Sequence, residues 1–357
     1  MSEVVRAALT AVVEGETLSL EQARDAMGAV MDGEATPAQL GALLVALRMR
    51  GETVDELAGF ATAMRARVLR VEAPAGAIDV VGTGGDRSGT FNISTAAAIV
   101  VAAAGVPVAK HGNRAITSAS GSSDVLEALG IVVQQSPAEA AESLREDGFA
   151  FLFAPGFHPA MMHAGPTRRE IGVRTAFNLL GPMTNPAGVS RLVVGAGDAR
   201  AAPKMADVLR RLGTERAFVV HGEGIDELPL DGSGVRYDVT PEGVSRAAVV
   251  PESVGLSRAP RAALAGGTPA ENAAIVEAVL RGAAGARRDV VLLNAGAALE
   301  LAGRAGSLGA GVALAAETID TGAAADRLER LRARRVRIEA ARAASAAQAG
   351  ARSASAS

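Results

Sequence analysis

The chain of 357 residues has no cysteine and no tryptophan, and Lys110 and Lys204 are its only lysines. Without cysteine, neither disulfides nor thiolate metal sites can be built. Long apolar runs are also missing. The longest uncharged apolar stretch, 96–109, is too short to cross a bilayer, and the N-terminal MSEVVRAALTAVVEGE mixes charges among its apolar positions, so neither a membrane segment nor a signal peptide is expected. What remains is 49% apolar residues with a formal net charge of -3, which suits a soluble cytoplasmic protein of one large or two unequal domains. Nearly every cation is arginine, 34 of 36, so a lysine that persists calls for a chemical reason.

The first seventy or so residues carry apolar positions at helical spacing. They also hold helix starts in which a hydroxyl residue caps and a Gln or Glu three positions on reaches back: Ser19 with Gln22, Thr36 with Gln39, Thr53 with Glu56. A small helical domain over 1–72 is expected. From Ile78 short apolar runs alternate with helical stretches: strands at 78–81, 106–109, 131–133, 149–153, 191–197, 216–222 and 289–296, and shorter antiparallel strands within 229–256. This α/β alternation predicts a larger domain over 73–335 with a central, mostly parallel sheet covered on both faces. From about Arg334 the sequence loses apolar periodicity, and a disordered tail over 336–357 is expected. Glu339 interrupts the tail's arginines and no aromatics are interleaved among them, which argues against nucleic-acid binding.

GTGGDRSGTFNIST (82–95) occupies the turn between the strand at 78–81 and the next helix. Thr90-Phe91 stands where a Walker loop needs Lys-Ser/Thr, and the glycine spacing breaks the dinucleotide fingerprint. The loop still offers glycines for close backbone approach, hydroxyl and amide donors, and a helix N-terminus, all suited to an anion. An isolated glycine cluster equally suits an ordinary tight turn. The next parallel strand, however, delivers KHGNRAITSASGSSD (110–124) to the same edge, with Lys110 and Arg114 as cations and Asn113, Thr117, Ser118, Ser120, Ser122 and Ser123 as donors. HGEGIDEL (221–228) ends in adjacent carboxylates, Asp226 and Glu227. Alone the pair reads as a solvated surface; beside a polyphosphate loop it suits Mg²⁺. In FHPAMMHAGPTRREIGVRTAFNLLGPMTNPAG (157–188), the histidines have no zinc spacing and suit hydrogen bonding or packing.

Taken in order, GTGGDxxxTFNIST, KHGNRAITSxSGSSDVLEALG, FHPAMMHAGPTRREIGVRTAFNLLGPMTNPAG and HGxGIDEL resemble the anthranilate phosphoribosyltransferase family over roughly residues 3–335. The resemblance implies a phosphoribosyltransferase-like fold, the helical domain taking a contribution from about 165–185, and a homodimer formed through that domain. It also implies Mg²⁺ and transfer of a phosphoribosyl group from phosphoribosyl pyrophosphate to anthranilate in tryptophan biosynthesis. Position by position, it implies that Gly82, Gly85, Asp86, Thr90, Asn92, Ile93, Ser94, Thr95, Lys110, Asn113, Ser118 and Ser122 surround the phosphoribosyl donor. It likewise implies that Gly82, Asn113 and Arg168 lie near anthranilate and that Ser94, Asp226 and Glu227 hold the metal. Lys110, His111, Asn113 and Arg168 are the catalytic candidates, His111 as acceptor of the amine proton. Ala119 departs from the longer side chain many members carry. Two alternatives stand beside this reading: a pyrimidine-nucleoside phosphorylase of the same architecture, and a non-catalytic nucleotide-binding regulator.

Overall fold

The computed structural model describes residues 1–86, 88–114 and 120–355, with side chains to residue 349. Four helices open the chain: α1 (Glu3–Val13), α2 (Leu20–Met31), α3 (Pro37–Arg50) and α4 (Val54–Arg65). Each of α2, α3 and α4 begins at a reciprocal capping box formed by the pairs anticipated from sequence. Glu56 extends its box into the packing. Fully buried, its carboxylate also accepts the Leu18 N–H at 2.9 Å and pairs with Arg50. Helices α2 and α4 approach closely at Gly59, where a β-carbon would collide with the Leu20 carbonyl.

The remainder is built on a seven-stranded sheet in the order β3-β2-β1-β4-β5-β6-β7. Its strands are β1 (Ile78–Gly82), β2 (Val108–Gly112), β3 (Phe149–Phe153), β4 (Arg191–Gly195), β5 (Arg216–His221), β6 (Gly234–Val239) and β7 (Val244–Val249). Strands β1 to β5 pair in parallel; β6 and β7 continue antiparallel. The connecting helices, continuing the numbering, are α5 (Ile93–Ala103), α6 (Ser122–Ala128), α7 (Pro137–Asp147), α8 (Ala154–Phe157), α9 (Gly165–Ile171), α10 (Phe177–Leu180) and α11 (Ala201–Arg211). Helices α12 (Pro269–Leu280), α13 (Ala286–Leu301), α14 (Leu308–Asp320) and α15 (Ala323–Ser355) follow β7. One core joins the α1–α4 unit, α7 and α11 to one sheet face; a second joins α5, α6 and α12–α15 to the other. Between β3 and β4, the chain touches the helical unit, where Arg65 donates to the Met183 carbonyl at 2.6 Å. No described helix is long and apolar enough to cross a membrane.

Three sequence expectations are corrected. Residues 289–296 are not a strand but the middle of α13, whose residues from Val290 to Leu299 are all buried. A helix buried on every side loses its apolar periodicity, and a short window of it looks like an inner strand. Gly296 of α13 abuts Gly311 of α14 so closely that a β-carbon on either would strike the other's backbone. Residues 131–133 are buried but belong to no strand, linking α6 to α7. Where fraying from Arg334 and a disordered tail from 336 are expected, α15 runs on as helix to Ser355. Arg334, 3% exposed, pairs with Glu142, Glu146 and Asp147 of α7, and Arg342 pairs with Glu139. Ile338 is buried on the same helix.

Because Asp147 is nearly as buried as Arg334, removing the guanidinium takes away its closest cation and leaves the more exposed Arg337, with Arg327 on its backbone carbonyl. Arg334→Met is expected to lower the unfolding free energy by about 3 kcal/mol at neutral pH. Urea denaturation checks this, and a loss below about 1 kcal/mol would show that the fold does not depend on the pair.

Candidate active site

From β1 the chain proceeds through β2 to β3 on one side, then returns to lay β4 on the other side of β1. The order reverses between β1 and β4, which opens a crevice beyond the carboxyl ends of the central strands. Every glycine-bearing segment singled out in the sequence meets there.

The loop after β1 is tied to β4. Thr83 N–H donates to the Gly195 carbonyl at 2.9 Å, and Thr83 Oγ1 accepts from Gly197 N–H at 3.1 Å. Gly84 and Gly85 adopt φ of 63° and 67°, a region that favours glycine. Arg174 donates to both of their carbonyls, at 3.2 and 3.0 Å, which fixes the loop's outer side. Asp86 accepts from Ser88 N–H, and Thr90 Oγ1 lies 3.0 Å from Ser88 Oγ.

The segment after β5 folds across these strand ends. Asp226 fits only because β1 and β4 end in glycine: a β-carbon on Gly195 would overlap its backbone, and one on Gly82 its carboxylate. Its Oδ2 accepts Gly84 N–H at 2.8 Å, while Glu227 Oε1 accepts Ser94 N–H at 3.1 Å, at the N-terminus of α5. Asn294 of α13 holds the next residue by accepting Leu228 N–H and donating to its carbonyl. Both carboxylates keep some exposure to the crevice yet are hemmed by protein on their other sides. Burial pushes Asp226 up to about 6, helped by the charge of Asp86. Burial pushes Glu227 further, to about 8, with Asp226 adding repulsion and Lys110 opposing it.

Lys110 lies under the crevice floor, 2% exposed, its Nζ donating to the Val80 carbonyl at 2.6 Å. Burial lowers its pKa, and the charges of Asp79, Glu227 and Asp226 counter that loss. Asp79, itself fully buried, accepts His111 N–H at 3.2 Å and Asn185 Nδ2 at 2.7 Å. His111 Nδ1 is 3.1 Å from the Gly181 carbonyl, and its Nε2 is 3.2 Å from His158 Nε2. Burial and the neighbouring His158 push His111 down to about 3. It is therefore neutral at ordinary pH, and neither ring nitrogen is left over for a substrate proton.

Asn113 and Ser122 face each other across the second loop, Ser122 Oγ donating to the Asn113 carbonyl at 3.2 Å. Ser118, Thr117 and Ala119 lie outside the described residues. Arg114, read from sequence as a loop cation, is instead paired with Asp124 and Glu127. Asn92 and Ser120 join the first and second loops, and Ile93 is buried behind them. Thr95 Oγ1 is buried in the first turn of α5 with no partner among the described residues. Arg168 of α9 stacks over the Phe177 ring at 4.5 Å. Burial lowers its pKa, and no carboxylate among the described residues pairs with it. A half-buried guanidinium without an anion is the complement of an anionic ligand. Sequence reasoning missed Asp79, Arg174, Asn185, Asn272 and Asn294. The one signal for most of them was a polar residue inside an otherwise apolar segment.

Comparison with known proteins agrees with this architecture. The helical-bundle domain of the glycosyl transferase family matches residues 6–68, and the a/b domain of that family matches residues 75–325. The chain is thus a glycosyl transferase of the two-domain, helical-bundle and α/β class. The anthranilate phosphoribosyltransferase of Azorhizobium caulinodans is 52% identical over 330 residues, 92% of this chain and 96% of the relative. The crystal structure of anthranilate phosphoribosyltransferase from Thermus thermophilus is 48% identical with a TM-score of 0.87, covering 92% of this chain and 99% of that one. The Saccharomyces cerevisiae enzyme in complex with PRPP and Mg is 27% identical with a TM-score of 0.85, covering 94% of this chain and 99% of that one. Within its class, the chain belongs to the anthranilate phosphoribosyltransferase family.

The raised Glu227 has a direct thermodynamic consequence. A carboxyl group that titrates near 8 in the folded state and near 4.5 when unfolded favours folding below about pH 4.5. That contribution is lost as pH rises through about 8, because the unfolded chain releases the proton first. Relative to the wild type, metal-free Glu227→Gln should therefore gain thermal stability steadily between pH 5 and pH 9. Melting curves of the two proteins that run parallel over that range would show that Glu227 is not perturbed. Asp226, titrating near 6, keeps a shallower slope in the variant.

Proposed function

We infer that this chain transfers the phosphoribosyl group of phosphoribosyl pyrophosphate to the amine of anthranilate, releasing pyrophosphate, as a cytoplasmic enzyme of tryptophan biosynthesis. The observation that carries the reading is the Asp226–Glu227 pair at the switch point. Two carboxylates raised by burial and by repulsion from neighbouring acids sit beside the glycine loop, with a single buried ammonium to offset them. Such a set of hard oxygens short of positive charge fits Mg²⁺, which usually takes one or two protein carboxylates and completes its shell with phosphate and water. Asp226, Glu227 and the Ser94 hydroxyl would hold the ion, whose charge supports the departing pyrophosphate.

The chain's own part is positioning. The crevice presents no nucleophile activated by a base among the described residues, so the reaction is direct displacement at the ribose carbon through an oxocarbenium-like state. Gly82, Gly85, Asp86, Thr90, Asn92, Thr95, Asn113 and Ser122 form the walls proposed for the phosphoribosyl donor. Lys110 contributes a fixed positive field from below the floor. An aromatic amine is already unprotonated at neutral pH, which removes the need for His111 as a base; orientation of the acceptor then contributes several kcal/mol. Arg168 is assigned to the acceptor's carboxylate, since it is a partly buried cation with no protein counter-ion among the described residues.

Loss of anthranilate fluorescence on adding phosphoribosyl pyrophosphate and Mg²⁺ tests the activity, with thymidine phosphorolysis as the control for a nucleoside phosphorylase. In the same assay, Arg168→Ala should raise the KM for anthranilate much more than that for the donor. Losing a charge-assisted bond costs about 2 kcal/mol, or roughly 30-fold in kcat/KM. A change under threefold for anthranilate, or equal losses for both substrates, would reject the assignment of Arg168.

A homodimer through the helical unit completes the proposal. Val4 and Val13 of α1 and Val45 and Met49 of α3 leave apolar side chains exposed on that unit. Analytical ultracentrifugation should find a dimer at micromolar concentration, and a monomer would remove this element.

A further inference from the structure

Asn272, in the first turn of α12, is 2% exposed and belongs to none of the loops that form the crevice. Its Oδ1 accepts Gly267 N–H at 2.8 Å, and its Nδ2 donates to Asn92 Oδ1 at 3.0 Å. Asn92 Nδ2 in turn donates to the Ser120 carbonyl at 3.2 Å. A backbone N–H only donates and a backbone carbonyl only accepts, so two amides strung between them have one self-consistent sense. Turning Asn272 over would face its NH₂ with the Gly267 N–H. Turning Asn92 over would face two oxygens at Ser120 and two NH₂ groups at Asn272.

Ser120 Oγ also donates to Asn92 Oδ1 at 3.3 Å, which fills that oxygen. Asn92 is left with one amide hydrogen that has no partner among the described residues, on a side chain only partly buried. The backbone around it is fixed by the same segment: Phe91 N–H donates to the Leu264 carbonyl at 3.0 Å, and Gly266 N–H to the Gly89 carbonyl at 2.9 Å. Gly266 has no room for a side chain, since a β-carbon would press on Asn272 Oδ1 and the Phe91 backbone.

We propose that Asn272 is a positioning residue for the phosphoribosyl donor: it locks the Asn92 amide so that its remaining N–H faces a donor oxygen. This rests on the assignment of Asn92 to the donor site. A merely structural Asn272 would hold the 264–267 segment and affect both substrates through general loosening. A residue acting through Asn92 affects the donor alone, and only while Asn92 is present.

The test is a double-mutant cycle of Asn272→Leu and Asn92→Ala, read as separate KM values for phosphoribosyl pyrophosphate and anthranilate. Asn272→Leu should raise the KM for the donor roughly tenfold, the value of one well-placed hydrogen bond, and leave that for anthranilate within about twofold. The double variant should be no worse than Asn92→Ala. Multiplied losses in the double variant, or equal rises in both KM values, would overturn the proposal. If Asn92→Ala uses the donor like the wild type, the Asn92 assignment fails and takes the inference with it. If Asn92→Ala is impaired and Asn272→Leu is not, the assignment stands and the inference alone falls. Should the Leu variant not fold, Asn272→Asp keeps an acceptor for Gly267 N–H while offering only acceptors to Asn92. It should show the same donor-selective loss, abolished in the Asn92→Ala background, and an unchanged donor KM would overturn the proposal.

Discussion

A shortage of positive charge beneath the crevice floor governs this molecule. Asp79, Asp226 and Glu227 all lie near enough to Lys110 for their charges to act on it. Burial works against every one of the four, raising the acids and lowering the lysine. Asp79 reaches only about 6 despite complete burial, because the lysine and the Asn185 and His111 N–H groups support its charge. Glu227 has less support and rises to about 8. The choice of lysine follows from the same geometry. A guanidinium in the middle of a buried strand would bring five donors to a place where one carbonyl accepts, whereas an ammonium makes the Val80 bond as a compact charge. In a chain with only one other lysine, that constraint explains why position 110 is not arginine.

Under the proposed function, this shortage would favour a paired ligand. Gly84 N–H and Ser94 N–H are donors that a glycine loop and a helix N-terminus would offer to an anion, yet here Asp226 and Glu227 accept from them. An anion entering alone would have to displace carboxylates or lie against their charge. Asp226 and Glu227, were they to hold a cation, would be relieved of their repulsion and would free the two amides. On the proposed function, binding of a polyphosphate with its metal would thereby be favoured over either alone, a coupling that follows from where the acids rest rather than from any moving part.

What the sequence discloses is mostly what is local. The capping boxes at Ser19, Thr36 and Thr53 are complete within four residues, and each forms as read. The glycine loop, the Asp-Glu pair and the parallel strands that deliver them are equally short-range patterns. The misread parts depend on distant partners. Residues 289–296 look like a strand because α13 is enclosed by α5, α14 and the sheet, so no polar face remains to mark its period. The arginines of α15 look like a solvated tail until α7, nearly two hundred residues earlier, supplies their acids. Arg114 looks like a ligand cation until α6 folds Asp124 and Glu127 back onto it. In each case the missing information is the identity of a partner outside the local pattern, which neither propensity nor periodicity encodes.

The same limit bears on the site itself. Asn272 and Asn294 lie in helices that otherwise read as plain packing, and each is nearly inaccessible to solvent. Burying an amide without partners costs free energy that an alanine would not, so its presence in such a helix requires bonds that replace water. Those bonds are to loop residues: Asn294 holds both backbone groups of Leu228 beside the carboxylate pair, and Asn272 sets the sense of Asn92. The two amides thus carry the rigidity of the helical layer to the polar loops at the strand ends. A loop with glycines at positive φ cannot supply such rigidity from its own backbone. The conformational freedom that lets the loop approach an anion is therefore restrained from outside it, by side chains whose only mark in the sequence is a single polar letter among apolar ones.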